Sequence, residues 1–439
     1  MSSTVTVACG AGFAGDRMEP AVDFATAEGI DAIVLECLAE RTMIAGLLER
    51  EKNPSLGYDA RLRPRLSPIL PLTFPRRRAV ITNLGSANPS AAAAEVARLA
   101  GEMGLAGLRV AAVLGDDIVD RESHVEWQDD SVLEDGGRWL GVHAYLGVDP
   151  IAEALRQGAD VVITGRTTDS SLFAAPVVAA FGEGALAGAL TVGHLLECSG
   201  QLTGGNVADS RESGLTAAEY ADLGFPWARV SADGSAEFGV LDGKPARLDP
   251  LGATLQLFYE VHDPHAYLTP DAILDFTGIA FDPLAPNRIR MSGARSSGIP
   301  ERLKAVGFRQ APGCIADLEI SYAGHGCRER VLIAAETMRI RLEAIPGVSR
   351  FNLDFVGINS VLGLGVDIPW EGSEVRLHVG AVCDSDATAR SVEDEIYALT
   401  LSGPAGGCGI RSERRAHLSV ESGLIARDQV TTSLGWYTA

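Results

Sequence analysis

Short apolar runs alternate with helical stretches through the N-terminal half of the chain, and this alternation restricts the fold more than any other feature. The runs predict six buried strands, at 5–8, 32–35, 79–82, 108–114, 142–146 and 160–164. Helical patterns separate them, at 20–28, 89–103, 151–157 and 172–180. Strand–helix alternation is typical of α/β folds, and strands that are apolar throughout are buried on both faces. We therefore predict an α/β fold whose N-terminal, mostly parallel sheet is covered by helices.

The pattern changes after about residue 215. Alternating apolar and polar runs appear at 272–276, 288–292, 316–321, 353–359 and 374–382, with helical patterns at 328–345 and 391–401. We predict two domains: residues 1–215 form the α/β domain, with an active-site crevice at its strand ends, and residues 216–439 form an α+β domain. The last part of the second domain is predicted to be a ferredoxin-like β-α-β sandwich.

Net charge and composition restrict the partners of the chain. The formal net charge is -21 over 439 residues, and nucleic-acid binding needs a basic face, so we expect no nucleic-acid partner. No apolar run reaches the ~18–20 residues of a membrane span, and we expect no membrane association. The seven cysteines form no C-x-x-C pair, which is typical of reduced thiols in a cytoplasmic protein.

The sequence ACGAGFAGDRMEP at 8–20 contains G-x-G-x-x-G directly after the first predicted strand. Glu36, at the end of the second predicted strand, lies about where a dinucleotide-binding fold carries its acidic residue. However, Asp16 and Glu19 would repel a phosphate, and Pro20 predicts that the helix begins too late to hold a pyrophosphate. The glycines are therefore explained by a tight turn or by a substrate-facing loop, and NAD(P) is not the expected cofactor.

Polar side chains follow the ends of the predicted strands, where the ligand crevice of a parallel sheet lies. Three carboxyl groups, those of Glu36, Asp169 and Glu197, are the acid–base candidates, and the Cys198 thiol is an alternative proton carrier. The arginine candidates for clamping a carboxylate or phosphate are Arg17, Arg41 and Arg166. The other substrate-binding candidates are Gly12, Asp16, Asn83, Asn88, Gln201 and Asn206.

Several of these residues also have structural explanations. Asn88 and Asp169 are well placed to cap helices, and Arg17 and Arg41 could form surface ion pairs with neighbouring glutamates. The carboxyl groups could instead hold a divalent cation through oxygen ligands. No established metal-binding spacing is present, so the sequence leaves the metal undetermined.

Seven motifs occur in a fixed order along the chain: GAGFAGDRMEPA, LAERTM, ITNLGSANP, DVVITGRTTDSSL, HLLECSGQLTGGN, YEVHDPHAYLTPD and SGPAGG. In the identity and order of these motifs, the chain resembles the acyclic terpene utilisation (AtuA-type) family from about residue 5 to about residue 410. The position of Glu36 departs from the family pattern, which more often has Asp there, although the acidic character is kept. Cys408 interrupts the usual glycine run. The chain resembles the short form of the family, without a fused companion domain.

The resemblance implies a role in terpene catabolism, in which neighbouring enzymes handle branched acyl-CoA thioesters. We therefore expect a catabolic enzyme that acts on a small branched carboxylate or its CoA thioester by lyase-type chemistry: hydration, dehydration, isomerisation or C–C cleavage. Two alternatives stay open: a non-catalytic, ligand-binding or scaffold subunit of a two-component complex, and an NAD(P)-dependent oxidoreductase. The expected partners are the small molecule, a small companion subunit and further copies of the chain in a homo-oligomer.

Overall fold

The computed structural model describes residues 3–129, 136–207, 214–363, 365, 369–370 and 372–439. The chain divides into two compact units. The first unit comprises Met1–Gln128, Leu140–Gly307 and Ser422–Ala439, and the second comprises Asp129–Trp139 and Phe308–Glu421. The predicted boundary at residues 215 and 216 lies inside the first unit, so the change in sequence pattern there occurs within a unit.

In chain order, the strands among the described residues are β1 (Thr4–Ala11), β2 (Ala32–Leu35), β3 (Ala79–Thr82), β4 (Arg109–Leu114), β5 (Glu126–Trp127), β6 (Arg138–Ala144), β7 (Val161–Ile163), β8 (Trp227–Ser231), β9 (Ala236–Gly239), β10 (Tyr267–Leu268), β11 (Ile273–Asp275), β12 (Ala280–Ala285), β13 (Arg288–Ser292), β14 (Arg295–Ser296), β15 (Arg302–Ala323), β16 (Val348–Val356), β17 (Glu374–Cys383), β18 (Cys408–Ala426) and β19 (Ser433–Thr438).

The α-helices of the same residues are α1 (Glu19–Thr26), α2 (Glu40–Lys52), α3 (Leu62–Leu66), α4 (Leu70–Thr73), α5 (Pro89–Glu102), α6 (Asp149–Arg156), α7 (Asp169–Phe181), α8 (Leu186–Leu196), α9 (Ala217–Ala221), α10 (Pro250–Leu257), α11 (Cys327–Glu343) and α12 (Asp386–Ser402).

A ten-stranded sheet forms the centre of the first unit, in the order β12-β13-β9-β8-β1-β2-β3-β7-β4-β19. Its middle strands, β1, β2, β3, β7 and β4, are parallel, which confirms the predicted α/β fold with parallel strands at the N-terminus. Antiparallel strands extend the sheet on both sides, because β8 pairs with β1 and β19 pairs with β4. The change in pattern after residue 215 therefore marks antiparallel strands of one mixed sheet.

Alternate residues of the central strands pack into two separate hydrophobic clusters. Val7 and Cys9 of β1 belong to a cluster with residues of α6, α7 and α8, whereas Ala8 between them belongs to a cluster with residues of α1, α3 and α5. This division follows from the two-residue period of a strand. Because helices cover both faces, the central strands are apolar along their whole length, as the sequence predicted.

One predicted strand joins a different sheet. The apolar run at 142–146 overlaps β6, which pairs with β15 instead of joining the ten-stranded sheet. A short apolar run indicates a buried strand but carries no information about its partner. The arginine-rich segment at 61–78 contains the short helices α3 and α4, and Arg65 and Arg78 in it are buried.

In the second unit, the elements follow the order β-α-β-β-α-β, from β15 through α11, β16, β17 and α12 to β18. The strand order in the sheet is β16-β17-β15-β18, and β17 is antiparallel to both of its neighbours. Buried side chains of both helices, such as Val331 and Ile396, pack with Leu377 and Val379 of β17. This order of elements is typical of ferredoxin-like folds.

Among the helices of the described residues, none combines the length and the apolar character that crossing a membrane requires.

Candidate functional site

Glu36 and Asn83 are held together at the ends of two adjacent parallel strands. Glu36 directly follows β2, and Asn83 directly follows β3. Asn83 Nδ2 donates a 2.8 Å hydrogen bond to Glu36 Oε1, and the backbone N–H of Leu38 donates a second bond, also 2.8 Å, to the same oxygen. Asn83 is fixed in turn, because its Oδ1 accepts a hydrogen bond from Cys37 N at 2.7 Å. Asn83 therefore positions Glu36, and both side chains are buried.

The surroundings of Glu36 favour its protonated form. Burial raises the pKa of this carboxyl group well above its ordinary value, and repulsion from Asp169 raises it further. The hydrogen bonds from Asn83 and Leu38 oppose the rise only in part. A carboxylic acid that stays protonated at neutral pH can donate a hydrogen bond or a proton to a substrate oxygen.

Arg166 lies in the segment between β7 and α7. Its guanidinium donates hydrogen bonds to other groups of the protein. Its Nη2 donates to Asp169 Oδ1 at 2.6 Å, and its Nη1 donates to Leu38 O at 2.9 Å. Nε and Nη2 both donate to Thr167 O, and the guanidinium carbon lies 4.6 Å from the centre of the Tyr145 ring. Arg166 is therefore held as a fixed positive charge beside Asp169.

Asp169 has the pKa that an acid–base catalyst needs at neutral pH. Its side chain keeps 39 % of its surface accessible, so it can meet a ligand. The surrounding protein raises its pKa to about 7 by limiting hydration of the charged form; Arg166 lowers it, and Glu197 and Glu40 raise it. A group with this pKa exchanges protons readily near neutral pH.

His194 and Glu197 form a hydrogen-bonded pair at the C-terminal end of α8. His194 Nδ1 lies 2.9 Å from Glu197 Oε1, and Nε2 lies 3.1 Å from Leu257 O. Burial alone lowers the pKa of His194, but the hydrogen bond and the charge of Glu197, together with Leu257 O, raise it overall. The pair therefore favours an imidazolium facing a carboxylate.

Cys198 is the alternative proton carrier that the sequence indicated. Burial raises the pKa of its thiol to about 12, and the charge of Glu197 raises it as well, whereas Gln256 lowers it. At neutral pH the sulfur therefore carries its proton. A protonated thiol is a poor nucleophile, so the surroundings of Cys198 do not favour attack by its sulfur.

Two of the three glycines of the motif, Gly10 and Gly12, serve close packing. Gly10 lies inside β1, where a Cβ atom would come within 2.6 Å of the Leu35 side chain. A Cβ atom on Gly12 would lie 2.6 Å from Glu197 O and 2.8 Å from Ser199 N. Gly12 therefore lets the β1 loop approach the backbone of the segment that carries Glu197 and Cys198. This is the physical reason that a glycine is needed here.

The donors of this loop are used within the protein, contrary to what a pyrophosphate site requires. The backbone N–H of Gly12 donates to Asp16 Oδ2 at 2.9 Å, that of Asp16 donates to Phe13 O at 3.1 Å, and that of Arg17 donates to Asp16 Oδ1 at 2.8 Å. The helix that follows begins only at Glu19. Dinucleotide binding requires free N–H groups at a helix N-terminus directly after the glycines, and this arrangement does not provide them.

A cleft with an empty volume of about 790 Å³ opens beside this loop. Gly12, Asp16, Arg17, Cys198, Gln201 and Asn206 are among the residues that line it. Ser199 and Asn206, both in the wall that follows Cys198, have φ values of 48° and 55°. Such values are uncommon for residues other than glycine, and they often occur at functional sites.

In the described part of the chain, no hydrogen bond or ion pair links two of the predicted substrate-binding residues, Asn88 and Arg41, to these carboxyl groups. Asn88 caps α5: its Oδ1 accepts a hydrogen bond from Ala91 N at 3.2 Å, and its Nδ2 donates to Pro54 O and Leu56 O. These contacts give it the helix-capping role that the sequence left open. Arg41 is exposed near the start of α2.

Sequence reasoning missed several residues that surround the carboxyl groups. The Tyr267 ring lies 5.0 Å from the His194 ring, and burial raises its pKa, with further contributions from Glu197 and Asp169. Gln256 is buried next to Cys198. The motif YEVHDPHAYLTPD contains Tyr267, so one signal was present in the sequence. Nothing in the sequence linked Gln256 of α10 to the strand ends.

The divalent cation that the sequence left open has no preformed ligand cluster in the described part of the chain. No group of three or more His, Cys, Asp or Glu side chains there is arranged to hold a metal ion. The carboxyl groups at the strand ends instead bind Asn83, Arg166 and His194.

Comparison with known families identifies the family of the chain. The model of the family described as "Acyclic terpene utilisation family protein AtuA" matches residues 5–436. The chain belongs to this family. The match confirms the resemblance seen in the seven ordered motifs, and AtuA-family membership suggests a role in acyclic terpene utilisation. Search of curated proteins found no match.

Among solved structures, one match is the protein SO0527 from Shewanella oneidensis, with 14% sequence identity and a TM-score of 0.18. The match covers 25% of this chain and 97% of that protein.

Proposed function

We propose that this AtuA-family chain is a catabolic enzyme that acts on a small branched carboxylate or its CoA thioester by lyase-type chemistry. The reaction would be hydration, dehydration, isomerisation or C–C cleavage next to a carbonyl group. One observation carries the proposal: two neighbouring carboxyl groups at the strand ends, Glu36 and Asp169, have raised pKa values, and Glu197 at the end of α8 pairs with the His194 imidazole. The pKa of Asp169 is about 7. Carboxyl groups whose pKa values are raised in this way can act as acid and base near neutral pH.

Asp169 is the group that transfers the substrate proton in this proposal. Its carboxyl group is accessible, and its pKa of about 7 lets it both accept and release a proton at neutral pH. Arg166 holds it in place through the 2.6 Å hydrogen bond. General acid–base catalysis by one positioned group contributes roughly 10²–10⁴-fold to a reaction rate.

Glu36 and the His194–Glu197 pair complete the acid–base set. Removal of a proton next to a carbonyl group places negative charge on the carbonyl oxygen, and that charge needs a hydrogen-bond donor. The protonated Glu36 carboxyl group is such a donor. The imidazolium of His194 balances the charge of Glu197, so that the region does not hold several uncompensated carboxylates.

Thermal unfolding with a panel of ligands tests this function. The panel contains branched acyl-CoA thioesters, free di- and tricarboxylates and NAD(P), each with and without Mg²⁺. A ligand at about 100 times its Kd adds roughly 2.7 kcal/mol to the free energy of unfolding. The proposal predicts stabilisation by an acyl-CoA or a carboxylate, followed by turnover of that compound. Stabilisation by NAD(P) alone would favour an oxidoreductase. Stabilisation by no ligand would favour the companion-subunit alternative.

A further inference from the structure

Two of the three candidate arginines, Arg166 and Arg17, already bind protein acceptors, and the third, Arg41, is exposed. Arg166 uses Nε, Nη1 and Nη2 on Thr167 O, Leu38 O and Asp169. Arg17 donates from Nη1 to Leu223 O at 3.0 Å, and its guanidinium lies 3.8 Å from two carboxylates, Glu19 and Asp222. A carboxylate ligand would have to displace these partners before either arginine could clamp it.

The charges of the region are already balanced against one another. Glu197 lies 2.9 Å from His194 and Asp169 lies 2.6 Å from Arg166, and Glu197, Asp169 and Glu260 all act on Tyr267. Lys304 is exposed, with its ammonium 4.9 Å from the centre of the Tyr145 ring, and its effect on the pKa of Asp169 is weaker than that of Arg166. An anionic group that entered here would add an uncompensated negative charge to this balanced set.

Three buried neutral side chains near these charges have polar atoms without a nitrogen or oxygen partner. The Gln256 side chain is 2 % exposed, and its Oε1 and Nε2 have no such partner in the described structure. Its contact is with the Cys198 thiol, which is a weak hydrogen-bonding group. Thr167 Oγ1 and Ser170 Oγ, on either side of Asp169 in the chain, are also buried and have no hydrogen-bond partner in the described structure. Buried polar groups without partners are rare and costly, and a ligand that supplies the missing partners explains why they are kept.

From this contrast between occupied cations and unused neutral groups, we infer that the substrate presents an uncharged thioester carbonyl to the site and that Gln256 positions it. This inference rests on the proposed function and narrows its substrate class from carboxylate or thioester to thioester. The Gln256 amide adjoins Cys198, and Cys198 lines the cleft. Binding as proposed requires the thiol to move aside, so that the carbonyl oxygen can reach the buried amide from the cleft. The Nε2 donor would bind the carbonyl oxygen.

Two probes that differ in charge at the reacting end test this inference. They are the N-acetylcysteamine thioester of isovaleric acid, which is neutral, and isovalerate, its anionic counterpart at neutral pH. Isothermal titration of the full chain is expected to give at least ~10-fold tighter binding of the thioester. The Asp169→Asn variant removes one repelling charge, so it should bind isovalerate more tightly and narrow this ratio. Equal or tighter binding of isovalerate by the unmodified chain, or binding of neither probe, overturns the inference.

The Gln256→Leu variant tests the positioning residue. Thioester affinity should fall by about 10-fold, whereas the Tm should change little, because the amide loses only its contact with the weakly hydrogen-bonding Cys198 thiol. The control is Gln157→Leu, the same change at an exposed residue, which should leave the affinity unaltered. A fall in the Tm of Gln256→Leu with unchanged thioester affinity would show a structural role and overturn the assignment.

These binding results are separable from the proposed reaction. Tighter binding of the thioester without any turnover of thioesters would support the substrate class and contradict the enzymatic function. Turnover of the free acid in preference to its thioester would support the function and contradict the substrate class.

Discussion

His194 Nδ1 lies 2.9 Å from Glu197 Oε1 while Nε2 of the same ring lies 3.1 Å from Leu257 O. A neutral imidazole has one N–H and can donate only one of these hydrogen bonds. Both contacts are satisfied as donated hydrogen bonds when the ring is an imidazolium. The His194 ring therefore holds a proton next to Cys198 and Tyr267, and its protonation can be measured without knowing the substrate.

Replacing Glu197 with Gln should lower the pKa of His194. The carboxylate raises this pKa and burial lowers it, so removal of the charge leaves burial as the larger effect. Stability follows the same sign: the pair stabilises the fold below the unfolded pKa of histidine, ~6.5, and this contribution is lost as pH rises through the folded pKa. NMR titration of the His194 ring protons checks the shift. Glu28→Gln, at an exposed glutamate, should leave that titration unchanged, and an unchanged pKa in Glu197→Gln would refute the pairing.

Replacing Glu36 with Gln should make stability less dependent on pH. The folded pKa of Glu36 is raised, so the folded state binds this proton more tightly than the unfolded state. Stability is then greatest below the unfolded pKa of ~4.3 and falls as pH rises toward the folded pKa. Urea unfolding between about pH 5 and about pH 8 should show a smaller fall in the free energy of unfolding for the variant. Equal falls in the two proteins would mean that Glu36 is ionised in the fold.

Replacing Gly12 with Ala should displace the segment that carries Glu197. The added Cβ atom would lie 2.6 Å from Glu197 O, and backbone atoms cannot move aside as easily as a flexible side chain. We expect a loss of ~1–3 kcal/mol in the free energy of unfolding and weaker ligand binding. The matched control is Gly101→Ala in α5, where nothing lies within 4 Å, and a gain of ~0.5–1 kcal/mol is expected there. Denaturant unfolding compares the two, and similar effects would contradict the close packing of Gly12.

Replacing Asn88 with Ala should affect stability without affecting the binding of a ligand. Its side chain accepts from Ala91 N and donates to two backbone carbonyl groups, and loss of an N-cap costs about 1 kcal/mol. Thermal unfolding measures the loss, and titration with the isovaleryl thioester measures the binding. Weaker ligand binding by a folded Asn88→Ala protein would restore Asn88 as a substrate-binding residue.

The sequence predicted the central part of the fold because a parallel sheet buried on both faces leaves a strong signal. Buried runs such as 32–35 and 79–82 coincide with β2 and β3. The signal was local, however. It could not show that the 142–146 run pairs with β15, or that β8 and β19 complete the same sheet, since pairing between distant strands depends on the whole chain.

The candidate site was predicted in part for the same reason. Glu36, Asn83 and Asp169 follow parallel strands, and the rule that ligands bind at strand ends brought them together. The rule could not show that Asn83 hydrogen-bonds to Glu36, or that Arg166 donates its hydrogen bonds to protein acceptors, because a sequence does not give hydrogen-bond partners. The pattern could not identify Gln256 and Tyr267, because these residues lie on other elements, α10 and β10.

Exchange of substrate hydrogen for deuterium tests the central claim most directly. The isovaleryl thioester of N-acetylcysteamine would be incubated in D₂O with the unmodified chain, with Asp169→Asn and with Asp242→Asn, a control at an exposed carboxylate. Loss of the proton signal next to the carbonyl group would be followed by NMR. The account predicts exchange with the unmodified chain and with Asp242→Asn, and a rate at least ~10²-fold lower with Asp169→Asn. Equal exchange in all three proteins, or none with the unmodified chain while it binds the thioester, would contradict acid–base chemistry at these strand ends.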